Sequence, residues 1–324
     1  MAKTEALALL ADGEFHSGQE LADRLGISRT AVWKQLGKLQ ALGLTAESVR
    51  GKGYRIAGGI ELLDDAQIRA ALEPETLALL RELQIVTAID STNAELLRRL
   101  QAGPGSGLVC TAEQQTAGRG RRGRSWVSPF ASNIYLSLAW EFAGGAAALE
   151  GLSLAVGVAV ASALDRCGVA DVALKWPNDL LHGGAKLGGI LIEMVGDAAG
   201  SCQVVVGVGL NVRMPELAAA EIDQAWTDVT AAATGSVGRN QLLSALLNEL
   251  LPLLPRFAEQ GFTPWREPWM ALDAHADSPV IVTSGDSRLA GTARGIDTSG
   301  ALLLEVAGSV RAIHGGEVSL RPAS

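Results

Sequence analysis

Three apolar segments in close succession constrain this chain most: VALKW (172–176), KLGGILIEMV (186–195) and CQVVVGVGLNV (202–212). Each is short and rich in Val, Ile and Leu, and tight polar turns separate them. SNIYLSLAW (132–140) alternates polar and apolar residues, and Leu83 to Ile89 is a further apolar run. Consecutive strands joined in this way predict one mixed sheet with helices on one face. The small-residue run from Gly151 to about Leu164 predicts a helix packed closely against it. The fold class is therefore α+β. A length of 324 residues predicts two or three domains at roughly 100–200 residues each.

Composition removes several function classes. With 48% hydrophobic and 19% charged residues, the chain has enough apolar material for a core and is not a disordered polymer. The run 151–164 is closed by Glu150 and Asp165 and falls short of the ~18–20 residues of a membrane span. The N-terminus carries no signal-peptide h-region or cleavage site, so a cytoplasmic protein without membrane association is expected. Cys110, Cys167 and Cys202 are far apart and read as buried thiols in a reducing compartment. The four histidines are scattered without HxxxH or HExxH spacing, so no protein-bound metal site is expected.

Net charge is −8, but the first 60 residues carry eight basic and six acidic side chains. Within them Ser17 and Glu20 form a capping box, Gly26 ends that helix, and Ser28 starts the next, which stops at Gly43. Leu7 and Leu10, Leu21 and Leu25, and Val32, Leu36 and Leu39 form the inner faces. Thr30, Lys34 and Lys38 recur on one outer stripe beside Arg29 and Gln35. Two helices joined by a Gly turn, the second with a polar-basic stripe, predict a helix-turn-helix. Arg29 and Gln35 are suited to base edges, and Lys34 and Lys38 to phosphates. SVRGKGYRI reads as two strands around a basic wing tip that includes Lys52, and Ala57 to Ile60 as a linker. Trp33 lies beside the stripe, and the pattern leaves its direction open.

The chemistry is expected in the middle of the chain. DSTN (90–93) stands at a strand-to-helix junction; on this segment alone a helix cap is the better reading. Gly118, Gly120 and Gly123 alternate with Arg119, Arg121, Arg122 and Arg124. No smooth apolar helix follows, so this is not a dinucleotide fingerprint. Glycines let backbone approach phosphate and arginines fork it, so a phosphate-bearing small ligand is the better reading over nucleic acid. Lys175, Pro177-Asn178-Asp179, Lys186 and Asn211 punctuate the strands that follow.

Taken in order, DSTN, GRGRRGR (118–124), KWPND (175–179), KLGGIL (186–191) and GVGLN (207–211) resemble the bifunctional bacterial biotin protein ligases that also repress biotin genes. GISRTAVWKQL and the GKGY wing resemble that family's DNA-binding domain. The resemblance implies a central sheet of class II synthetase-like kind. It implies activation of biotin by ATP and magnesium to biotinyl-5'-AMP, then transfer to a lysine of a biotin carboxyl carrier domain. It implies Lys186, Arg119 and Arg121 as catalytic cations. Ser91, Thr92, Asn93, Gln115, Gly120, Trp126 and Asn211 become ligand contacts, Trp226 a cover, Arg124 a support of the loop, and Asn178 and Asp179 orienting groups for nucleotide or magnesium. Operator DNA and a ligand-promoted homodimer are the implied partners. Residues 212–240 match the family only loosely.

The last fifty residues, with SPVIVTSGD, RLAGTARGID, SGALLLEV and HGGEVSLR, read as short strands, and the resemblance makes them a five-stranded SH3-like barrel. Arg321 aligns with a terminal arginine that in the family reaches toward the nucleotide. The expected domains are 1–60, 61–273 and 274–324. Two rival readings stay open: a ligand sensor without chemistry, and a ligase for lipoate or a fatty acid.

Overall fold

The computed structural model describes residues 2–196, 200–285, 287–315 and 318–322; the side chain of Lys3, and Gly316 and Glu317 of the final predicted strand, lie outside the described residues. The chain opens with helices α1 (Ala2–Leu10), α2 (Gly18–Leu25) and α3 (Arg29–Leu39), then strands β1 (Ala46–Val49) and β2 (Gly53–Ile56). Ser17 Oγ accepts from the Glu20 N–H and Ser28 Oγ from the Ala31 N–H, so both predicted caps form, and Gly26 closes α2 at a φ of 61°. Leu7, Leu10, Leu21, Val32, Leu36, Leu39 and Ile56 make one buried cluster, which Phe130, far along the chain, completes. The expected linker is a tight turn: the Gly59 N–H donates to Ile56 O and the Ile60 N–H to Ala11 O, and Ile60 packs against the same cluster.

His16 joins the wing to these helices. It exchanges backbone hydrogen bonds with Tyr54, and its ring lies 2.9 Å from Asp12 and 3.1 Å from Glu20. Burial pushes the imidazole pKa down, but hydrogen bonds and charge from the two carboxylates outweigh it, and the value is raised. A raised folded-state pKa contributes stability that is present below the unfolded value of about 6.5 and is lost as pH rises through the folded value. The thermal midpoint of the N-terminal module should therefore fall as pH rises above about 6.5, and His16→Gln should flatten that slope. A midpoint that rises with pH in the same window contradicts this.

Next come α4 (Asp65–Ala70), α5 (Pro74–Leu79), β3 (Glu82–Val86), α6 (Thr92–Leu100), β4 (Leu108–Ala112), β5 (Ile134–Phe142), α7 (Leu152–Arg166), β6 (Val172–Lys175), β7 (Asp179–His182), β8 (Ala185–Gly196) and β9 (Cys202–Leu210). These strands form a seven-stranded mixed sheet in the order β3-β4-β5-β9-β8-β7-β6, in which only β3 and β4 pair in parallel. The short helices α8 (Glu216–Ala219) and α9 (Val229–Ala232) precede the long α10 (Arg239–Gln260) and α11 (Thr263–Ala271). Although Pro252 and Pro255 interrupt its pattern, α10 buries Leu242, Leu243, Leu246, Leu247, Leu250, Leu251 and Leu254 against α7.

The helices do not lie on one face, as expected from sequence, but on two. Val204, Val206 and Val208 of β9 join the α7–α10 core, whereas Leu96 and Leu100 of α6 pack with Cys110, Ala139 and Val205 on the other side. The strand period of two makes this unavoidable, because β4 is buried at all five residues and both its faces need cover. Residues 145–166 are long and apolar enough to span a membrane, but α7 is packed between the sheet and α10. Lys186 lies inside β8 rather than before it, since the β7–β8 hairpin turns at Gly183 and Gly184 (φ 58° and 79°).

The C-terminal β10 (Pro279–Ser284), β11 (Ser287–Ile296), β12 (Leu302–Val306), β13 (Ser309–Ile313) and β14 (Val318–Pro322) form a five-stranded antiparallel sheet in the order β13-β12-β11-β10-β14. Strand β13 was not among the sequence-predicted segments. Val280, Val282, Ile296, Leu302 and Leu320 share the main core, and Leu174 exchanges backbone hydrogen bonds with Leu272 and Ala274. The C-terminal sheet is thus fastened to the edge of the central one, beside the turn that carries Asn178 and Asp179.

Candidate active site and DNA-facing surface

The site lies on the α6 side of the sheet. Because Val206, Val208 and Leu210 of β9 point into the core, Gly207 and Gly209 face the opposite way. A Cβ at Gly207 would sit 2.2 Å from Asn93 Oδ1, and one at Gly209 2.7 Å from the Trp126 indole. These glycines are therefore the floor on which two site residues rest. Gly207→Ala and Gly209→Ala should each displace the residue above and weaken ligand binding by about 5- to 150-fold, roughly the 1–3 kcal/mol of an overpacked contact. Calorimetric titration of each variant checks this; affinities within a factor of two of the parent contradict it.

Ser91 caps α6, and Thr92 and Asn93 are buried at its first turn. The cap and the binding reading of DSTN are compatible: Ser91 caps the helix, and the same residue lines the first hollow together with Thr92 and Asn93. Ser137 Oγ lies 2.7 Å from Thr92 Oγ1 and 2.6 Å from Asn93 Oδ1, and Asn93 Nδ2 donates to Glu193 at 2.8 Å. Gln115 accepts from the Thr92 N–H at 2.9 Å and donates to Ser128 at 3.1 Å. Asp90 is turned outward onto Arg98, which holds its carboxyl down at about 2.

The Gly/Arg loop forms one short helical turn, with Arg122 in the left-handed region at a φ of 58°. Arg119 pairs with Glu193 at 3.1 Å. Arg121 donates to Asn178 Oδ1 at 2.7 Å and to Val318 O at 3.3 Å, linking the loop to the C-terminal sheet. Opposite it, Asp179 binds Lys186 at 2.7 Å and Lys175 at 3.0 Å. Burial pushes the Asp179 carboxyl up, but the two ammonium groups outweigh that and hold it below the usual carboxylate range. Asp179 thus stays ionised and fixes both lysines. Lys186 also lies 5.6 Å from the Trp126 ring centre.

Three hollows meet here. The first, about 490 Å³, is lined by Ser91, Thr92, Asn93, Gln115, Arg119, Gly120, Arg121, Trp126 and Lys186 among others. The second, about 780 Å³, adds Lys175, Asp179 and Arg321. The third, about 1070 Å³, is lined by Arg124, Asn211, Met214, Ile222 and Trp226. Only Trp126 and Lys186 line all three. Of the expected ligand contacts, Asn211 alone is absent from the first hollow. Its amide donates to Thr227 O at 3.1 Å and Lys186 O at 3.4 Å, tying the 225–228 segment to β8. Sequence reasoning missed Glu193, Ser137 and Ser128. The first two share a strand face with Gly189 and Tyr135, a signal that exists once β8 and β5 are in register.

On the N-terminal module Arg29, Thr30, Lys34, Lys38 and Lys52 are exposed. Gln35 is only half-buried at the flank, and its Oε1 is buried without a hydrogen-bond partner. Trp33 faces outward, 66% exposed.

Comparison with known proteins accounts for this combination. The "Biotin/lipoate A/B protein ligase family" model matches residues 85–211, an "HTH domain" residues 3–55 and the "Biotin protein ligase C terminal domain" residues 275–321. The bifunctional ligase/repressor BirA of Salmonella typhimurium is 43% identical over 98% of this chain and 97% of its own length. The protein belongs to the bifunctional biotin ligase/repressor family. The Escherichia coli and Bacillus subtilis members are 42% and 30% identical, over 98% and 96% of the chain. A solved structure of Aquifex aeolicus biotin protein ligase in complex with biotin and ATP is similar with a TM-score of 0.63 and 27% identity, covering 75% of this chain and all of its own. The chain is thus a biotin protein ligase with a helix-turn-helix repressor domain, of mixed α/β fold with a C-terminal β domain. This removes the reading as a sensor without chemistry.

Proposed function

We propose that the protein joins biotin and ATP into biotinyl-5'-AMP, passes biotin to a lysine of a biotin carboxyl carrier domain, and represses biotin genes when charged with the adenylate. The convergence of three hollows on Lys186 and Trp126 carries this reading. Biotin occupies the first hollow, where Ser91, Thr92, Asn93 and Gln115 offer hydroxyl and amide groups to a ureido ring with two N–H donors and one carbonyl. An alkyl acid such as lipoate or a fatty acid offers that polar wall no hydrogen bonds in return, which disfavours it. The triphosphate takes the second hollow with Arg321, and the adenosine the third, beside Asn211 and under Trp226.

Attack of the biotin carboxylate on the α-phosphate forms the mixed anhydride, breaks the α–β phosphoanhydride bond and releases pyrophosphate, and it brings two anions together. Lys186 supplies the fixed positive charge at their meeting point, and Arg119 and Arg121 close the loop over both. Asn178 holds Arg121, and Asp179 holds Lys186, so the cations are set before substrates arrive. Loop closure keeps water from the mixed anhydride until the carrier lysine, in its neutral form, attacks. Asp179 is engaged by Lys175 and Lys186. That donor set suits magnesium arriving on the nucleotide phosphates and retaining its waters.

The units proposed are 1–60, 61–273 and 274–324, with a class II synthetase-like centre and an SH3-like barrel at the end, in a cytoplasmic protein. Operator contacts fall to Arg29, Thr30, Lys34, Lys38 and Lys52, and a ligand-promoted homodimer holds two half-sites. Biotin-dependent exchange of labelled pyrophosphate into ATP tests the first step, and its absence would refute the assignment. Sedimentation with and without biotin plus ATP tests the dimer; an unchanged mass would refute that part.

A further inference from the structure

We propose that Trp33, with the gap beside it at Gly37, is the base-reading element of the N-terminal module, packing its indole against thymine methyl groups in the major groove. The inference rests on the reading of this module as a DNA-binding domain and names what it recognises. Val32, Leu36 and Leu39 bury the inner face of α3, so Thr30, Trp33, Lys34 and Gly37 lie along the outer one. A tryptophan 66% exposed in the middle of that face buries little within the chain. Gly37, one turn further on, has no internal reason to be glycine. Its φ is not positive, a Cβ there would meet nothing within 4 Å, and glycine costs about 1 kcal/mol against alanine inside a helix. A bare backbone next to an exposed indole admits close approach of another surface.

Charge identifies that surface. Helix α3 contains no carboxylate, and exposed Arg29, Lys34 and Lys38 flank the indole, with Lys52 on the wing. A polyanion therefore fits this face, and the apolar centre of the patch meets the apolar feature of a major groove, the thymine C5-methyl. Two other residues are suited to base edges: Arg29, exposed at the start of α3 and matched to guanine, whose contacts deoxyuridine substitution leaves untouched, and Gln35, whose bidentate recognition of adenine needs both amide atoms free. Its Oε1 is buried, so the sequence-based assignment of base reading to Gln35 gives way to Trp33.

The test uses the full chain with biotin and ATP, and duplexes enriched by it from a random 30-base-pair pool, about three helical turns. Each thymine is replaced in turn by deoxyuridine, which removes only the methyl. The wild type should lose about 3–10-fold in affinity at one or two positions per half-site, the scale of a single lost base contact. Trp33→Ala should lose about tenfold in preference for enriched over scrambled duplex and become indifferent to deoxyuridine, while Lys34→Ala weakens both duplexes alike. Trp33→Phe, which keeps an apolar ring, should retain part of the preference, and unchanged melting of both variants verifies their fold. Preference retained in Trp33→Ala, or deoxyuridine sensitivity that survives it, overturns the proposal while leaving DNA binding intact. Failure of the wild type to enrich any sequence overturns both.

Discussion

Lys186→Ala should lower the rate of adenylate formation by about 100- to 1,000-fold, the usual cost of removing one fixed electrostatic stabiliser of a developing charge. The Lys186 ammonium is anchored 2.7 Å from Asp179 and stands beside Trp126 where the three hollows meet. Its charge acts most where the carboxylate and α-phosphate approach, so kcat should fall more than the KM for biotin rises. Lys175 remains 3.0 Å from Asp179 and keeps that buried carboxylate paired, so the variant should fold. Lys186→Arg should recover little, since a planar guanidinium cannot occupy the compact position of an ammonium group. Single-turnover measurement of adenylate formation checks this; a rate within about threefold of the parent would mean the charge is supplied elsewhere.

The second large effect lies behind the site. Arg239, at the start of α10, donates to Glu113 at 2.7 Å and to Asn133 O at 2.9 Å, with both charged side chains almost wholly buried. Glu113 also accepts from the Leu63 N–H, and Glu61 accepts from the backbone of Asn240. The network ties the segment leaving the N-terminal module to β4, β5 and α10, two residues from Gln115 in the pocket wall. Glu113→Ala strands a guanidinium in the interior, which should cost about 3–5 kcal/mol. At roughly 2–4 °C per kcal/mol for a body of this size, the melting point should drop by about 6–20 °C. Calorimetry decides it: a drop under about 2 °C for Glu113→Ala would contradict a coupled buried pair.

The N-terminal module was legible from sequence because its signals are local. A cap such as Ser17 and a stop such as Gly26 act within four residues, and both form as expected. The strand sequences were legible for the same reason, through their alternation. What could not be read is what long-range pairing decides. The α6 layer followed only from β4 being buried on both faces, and the direction of Glu193 only from the register of β8 against β9. The polar residues of the pocket stood out as motifs, but their partners Ser137, in β5, and Ser128, in the irregular segment before it, did not, since a lone serine carries no local mark of what it faces. Gln35 sits at the flank of a helix, where one position separates an exposed amide from a half-buried one.

The central claim is tested most directly by transfer itself. The purified full-length protein is incubated with labelled biotin, ATP, magnesium and a biotin carboxyl carrier domain, and label on the carrier is counted. The account predicts label that requires ATP, is lost in Lys186→Ala, and is not displaced by excess lipoate. Biotin bound without any label reaching the carrier would contradict it.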